Sequence, residues 1–140
     1  HQINAKDYET ALISARVLQK DPRLASHPDI SAEALGNLGT LLIFSAEADE
    51  DKASASHALD DAIELLNRAR SQRRNQGHST TIFDANLALA HYHKFRVTGR
   101  TGELLVAKLI LDGTKSHVEP DLADWVNSVR KCLDEATRPH

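Results

Sequence analysis

The sequence predicts an all-α chain of about six helices packed as antiparallel pairs. Three observations lead there. Alanine and leucine together number 37 in 140 residues, against 13 isoleucines and valines, so helix formers far outnumber strand formers. Apolar residues recur at steps of three and four, and no stretch alternates with period two. Six glycines and four prolines are too few for the many tight turns of a β-sandwich. With 41% hydrophobic residues and a net charge of −3, the chain is not of the disordered class. Its length fits a single domain, residues 1–140, with a real core.

The elements follow in order. From Ala5 to Lys20, the residues Tyr8, Ala11, Leu12, Ala15 and Leu18 share one helical face. Asp21-Pro22 stops that helix, because the residue before proline is pushed out of the α region. Ser31 reads as the N-cap of a second helix with the face Leu35, Leu38 and Leu42. Gly36 and Gly39 lie inside it, each costing about 1 kcal/mol of helix propensity, which argues for a neighbouring helix packed close. Residues 46–57 are polar and acidic, and fit either an extended loop or a continuation of both flanking helices.

A third helix, Ala58 to Arg73, has the face Leu59, Ala62, Ile63, Leu66 and Ala69, with Gly77 as its stop. The fourth starts near Ser79–Thr81 and runs to about Val97. Phe83, Leu87 and Ala90 form one face, and Ala85, Ala88, Tyr92 and Phe95 another. Apolar residues on two sides give it a central position. After the turn Gly99–Gly102, a fifth helix spans Glu103 to Thr114. Pro120 opens a sixth with Leu122, Trp125, Val126, Val129 and Leu133.

These helices carry a repeat. Tyr8-x-x-Ala11-Leu12-x-x-Ala15, closed by Asp21-Pro22, resembles the second helix of a tetratricopeptide repeat. Leu38-Gly39 resembles the Leu-Gly pair in the first helix of the next repeat. Leu59-x-x-Ala62-Ile63-x-x-Leu66-x-x-Ala69 resembles its partner, and Asn86-Leu87-Ala88 the first helix of a third. The resemblance covers roughly residues 7–120, with about eleven residues more than the family pattern between Leu38-Gly39 and Ala62. It implies a right-handed superhelix of helix pairs capped by the last helix. A plain antiparallel helical bundle has the same apolar periodicity and stays open.

In that family the first helices of successive repeats line a groove that holds peptides. By resemblance, the groove residues here are Glu33, Asn37, Thr40 and Phe44 from one unit, and Ile82, Asn86, Leu89 and His93 from the next. Gly36 and Ala85 stand where the chaperone-tail-binding members have lysine, so a carboxylate clamp is not implied. The expected ligand is a helix or extended segment of a partner protein. The other expectation for these residues is packing against a neighbouring helix or the cap. The first helix needs cover for Tyr8, Leu12 and Ala15, and self-association through them is one way to supply it.

No motif for chemistry stands out, and neither a catalytic residue nor a metal or other cofactor is expected. His91 and His93 sit two apart, so on a helix they point about 200° from one another. No paired cysteines and no His pair at helical spacing occur. The acidic clusters Glu47–Asp51 and Asp60-Asp61 read as a solvated face, without the glycine and closing glutamate of a calcium loop. Gly99-x-x-Gly102 lacks the strand and the Gly-Lys-Ser/Thr ending of a phosphate loop. Cys132 has no adjacent catalytic motif and suits a core or half-buried position. The alternatives to an interaction scaffold are a small helical-bundle enzyme or ligand-binding domain, with His91, His93 or Cys132 facing a pocket, and a homodimerisation module.

Charge is uneven. Residues 1–66 carry a net −7 and residues 67–140 a net +4. Arg68, Arg70, Arg73 and Arg74 gather at one helix C-terminus, and Lys94, Arg96 and Arg100 at another. Helix-dipole complementarity explains both clusters. Nucleic acid is not the expected partner, since few aromatics are present for stacking. No apolar run approaches the 18 residues of a membrane span. The lone Cys132 suits a reducing, cytoplasmic compartment. The chain has no methionine and begins at His1, which reads as a processed or excised piece of a larger protein.

Overall fold

Five helices account for most of the chain in the computed structural model, which describes residues 28–114 and 118–138 together with Ile13 and Val17. They are α1 (Pro28–Ala48), α2 (Lys52–Asn75), α3 (Thr81–Thr98), α4 (Thr101–Asp112) and α5 (Ala123–Thr137). No strand occurs among the described residues. The expected helix Ala5–Lys20, with Tyr8, Leu12 and Ala15, lies outside them apart from Ile13 and Val17.

Each boundary has a local cause. Helix α1 begins at Pro28 rather than after Ser31. Proline suits a first helical position, where its fixed φ is already helical and its missing N–H has no partner to lose. The acidic stretch 46–57 is helical on both sides of a short turn. Asp51 caps α2, its carboxylate accepting from the backbone N–H of Ala53 at 3.0 Å and of Ser54 at 3.2 Å. Gly99 ends α3 in the left-handed region at φ 73°, where its N–H reaches Phe95 O. Pro120 does not open the last helix directly. Tight i→i+3 bonds from Leu122 N–H to Glu119 O and from Ala123 N–H to Pro120 O precede α5.

The helices pack as antiparallel pairs. Between α1 and α2, Gly39 lies against the Leu66 side chain and the Ala62 carbonyl. The pair α2/α3 is tied at both ends, by Arg70 to Asp84 and by Lys94 to Asp60. Helices α4 and α5 are tied by Lys108 to Thr137 and by Asp112 to Arg130.

Helix α3 packs against all four of the others. Its residues from Phe83 to Ala90 are all buried, which fits the central position its two apolar faces predict. The core is leucine and alanine for the most part: Leu35, Leu59, Leu66, Leu87, Leu111 and Leu133 are almost fully enclosed. Alanines at Ala62, Ala69, Ala85, Ala88, Ala90 and Ala107 have no exposed surface, so neighbouring backbones approach closely there.

Candidate functional site

The polar side chains of α3 form bonds to every neighbouring helix. Asp84 accepts from Thr80 Oγ1 at 2.9 Å and from Arg70 Nη1 of α2 at 3.4 Å. Asn86 reaches two helices at once. Its Nδ2 donates to Thr40 Oγ1 of α1 at 3.2 Å, and its Oδ1 accepts from Trp125 Nε1 of α5 at 2.8 Å. The Thr40 hydroxyl donates onward to Gly36 O at 2.9 Å. His91 Nδ1 and Glu103 Oε2 of α4 share a hydrogen bond of 2.6 Å. Lys94, buried along its length, pairs with the more exposed Asp60 of α2.

These contacts also fix direction. Gly36 meets Phe83, and Thr40 meets Asn86, residues 47 and 46 positions further along. Helices α1 and α3 therefore run parallel in register. Trp125 meets Asn86 from 39 positions on. Thr40, Asn86 and Trp125 occupy matching levels on α1, α3 and α5, which form one row, while α2 and α4 lie beside it.

The eight expected groove residues divide accordingly. Asn86 is 5% exposed and Leu89 is buried. Thr40 is half-buried with its hydroxyl engaged on both sides. Asn86 and Leu89 thus lie in the interior of the fold, where Trp125 bonds to the Asn86 amide. Glu33 and Asn37 are exposed toward the start of α1. Ile82 is half-buried at the start of α3, and Phe44 and His93 are half-buried at the far end.

That far end holds a cleft of about 390 Å³, lined by Ala46, Glu47, Asp49, Lys52, Leu59, His93, Arg96 and Val97. Val97 supplies its apolar surface over the buried Ala46 and Leu59, and Glu47, Asp49, Lys52 and Arg96 supply its charge. Burial holds His93 below the usual histidine range; Glu47 opposes that shift and Arg96 adds to it. Arg96 donates to the Tyr92 hydroxyl at 3.2 Å, which strengthens its hold on the proton. Glu47 of α1 and Cys132 of α5 both lie within electrostatic reach of Arg96. Helices α1, α2 and α3 thus line this cleft. Sequence reasoning missed Glu47, Lys52 and Arg96 as cleft residues, although they fall one turn beyond Phe44 and His93 on the same helical faces or across the turn.

The two histidines part company: His91 faces α4 and His93 the cleft. Cys132 is a half-buried free thiol. Among the described residues no three His, Cys, Asp or Glu side chains group to hold a metal. None of the described helices is long and apolar enough to cross a membrane. The basic clusters combine helix-end positions, with Arg73, Arg74 and Arg96 in last turns, and side-chain pairing. Arg70 and Lys94 bind Asp84 and Asp60, and Arg73 lies 5.5 Å from the Phe83 ring centre. A wider hollow of about 660 Å³ lies at the opposite end, between Arg74, Asp84 and Glu119. No family model, curated protein or solved structure matches the chain.

Proposed function

We propose that this chain is a non-enzymatic protein-interaction module, built like a degenerate tetratricopeptide array. It holds a helix or extended peptide of a partner protein at the cleft end of α1 and α3. The cleft carries the proposal: opposite charges, Glu47 and Arg96, flank the half-buried Val97. Such a surface suits a mixed apolar and polar segment. The exposed Asn37 and Glu33 extend the same face of α1 away from it.

The arrangement of the row supports the repeat reading. Stacked helix pairs place alternate helices in one row, as α1, α3 and α5 are here. The step of 46 positions between Thr40 and Asn86 exceeds the roughly 34 of a tetratricopeptide repeat and approaches those of longer helical repeats. Helices α1 and α2, of 21 and 24 residues, absorb the difference. The non-enzymatic reading rests on Asn86, His91 and Lys94, whose polar atoms bind neighbouring helices. A reducing, cytoplasmic setting goes with the lone free thiol.

Selection from a random peptide library on the intact chain tests this reading. Enriched peptides are expected to bind at least about tenfold more weakly to Glu47→Lys and Arg96→Glu, a loss of roughly 1.4 kcal/mol. Peptide binding untouched by either substitution, or no enrichment at all, would refute it.

A further inference from the structure

One face of α4 is apolar and is left uncovered by the described residues. Leu105 is 60% exposed and Leu109, one turn on, is 64% exposed, with Val106 beside them. Large apolar side chains grouped this way mark an interaction surface. The charged side chains of α4 are engaged within the chain. Glu103 binds His91, Lys108 donates to Thr137, and Asp112 accepts from Arg130. Gly102 lies on the same face one turn before Leu105, with open space where a Cβ would be.

We infer that two copies of this chain associate through α4, antiparallel across a two-fold axis. The pattern on the helix selects that occupant. Antiparallel pairing sets Leu105 of each copy against Leu109 of the other. It also brings opposite charges together at both ends. Arg100 is exposed immediately before the helix, and Asp112 at its last residue keeps about half of its side chain exposed beside its Arg130 partner. The start of α4 has no side-chain cap, so its partial positive charge faces the second copy's Asp112 as well. A two-fold contact needs this self-complementarity, and an unrelated partner does not. Gly102 lets the two backbones approach. A helix of twelve residues is about 18 Å long, so the interface belongs to the small, weak class.

Sedimentation velocity from about 1 µM to about 1 mM, the span of weak interfaces, tests the inference. The unsubstituted chain is expected to dimerise with rising concentration. Leu105→Glu and Leu109→Glu should each raise the dimer Kd more than tenfold. Both positions are exposed, so circular dichroism should stay unchanged. Arg100→Glu alone and Asp112→Arg alone should weaken dimerisation, and their equimolar mixture should restore it, because each mixed contact then pairs opposite charges. The double variant Ile13→Glu/Val17→Glu should dimerise as before. A monomer throughout the range, a dimer that survives both leucine substitutions, or a dimer lost in the Ile13/Val17 variant would overturn the inference. A mixture that stays monomeric would overturn the antiparallel pairing.

Discussion

Asn86→Ala should break the chain of hydrogen bonds that spans the row of helices. Asn86 is 5% exposed and holds Thr40 and Trp125 at once. Removing its amide leaves the two partners in different states. Thr40 keeps its bond to Gly36 O and loses little. Trp125 Nε1 loses its acceptor, and an unsatisfied donor in a half-buried place costs about 1–3 kcal/mol. For a chain of this length, each kcal/mol lowers Tm by roughly 3–4 °C, so a drop of about 3–12 °C is expected. A double-mutant cycle isolates the bond. Trp125→Phe removes the donor and keeps an aromatic ring. Circular dichroism during urea unfolding measures all four proteins without depending on the single tryptophan. The double variant should lose about 1 kcal/mol less than the two single losses combined. Additivity within about 0.5 kcal/mol would show that Asn86 and Trp125 do not support one another.

Gly36→Ala would drive a methyl group into the Phe83 ring. Overpacking of about 1–3 kcal/mol should exceed the roughly 1 kcal/mol of helix propensity gained; thermal melts should show a net loss that Phe83→Leu partly relieves. Asp51→Ala removes both cap bonds to α2 and should cost about 1 kcal/mol in chemical denaturation. His93 binds a proton less readily folded than unfolded, because it is buried. Stability should therefore fall as pH drops through about 6.5, where the unfolded chain takes up the proton. His93→Gln should flatten that part of the profile, measured as Tm against pH with Glu47 and Arg96 intact; an unchanged slope would exclude His93 as its source.

Helix identity was legible because period is a local signal. Leu59, Ala62, Leu66 and Ala69 repeat at helical spacing and are all buried on one face. Boundaries were less legible where two signals compete. The polarity of 46–57 masked a helix start that Asp51 supplies through its own carboxylate, and Ser31 drew attention from Pro28 three residues earlier. The candidate site was legible only at its ends. The resemblance to a tetratricopeptide repeat placed Thr40, Asn86, Leu89 and His93 on corresponding faces of two helices, but it carried no information about the bond from α5. Trp125 lies 39 residues from Asn86, and its indole turns an expected groove position into an interior one. The pairs Asp60–Lys94 and Arg70–Asp84 were hidden for the same reason. A lysine read against its own helix end looks like dipole complementarity until the facing helix is in view.

The contacts of α3 with every other described helix bear on how the chain unfolds. In a stack of repeats that touch only their neighbours, an end unit can melt while the remainder persists. Here the loss of α3 would expose parts of α1, α2, α4 and α5 together and break Asn86, Asp84, His91 and Lys94 from their partners at once. Slow amide exchange in Phe83–Ala90 should therefore proceed only through global opening. The ends of α5, held at its margins by Lys108 and Asp112, can open earlier. One internal helix makes the described helices behave as a single cooperative unit.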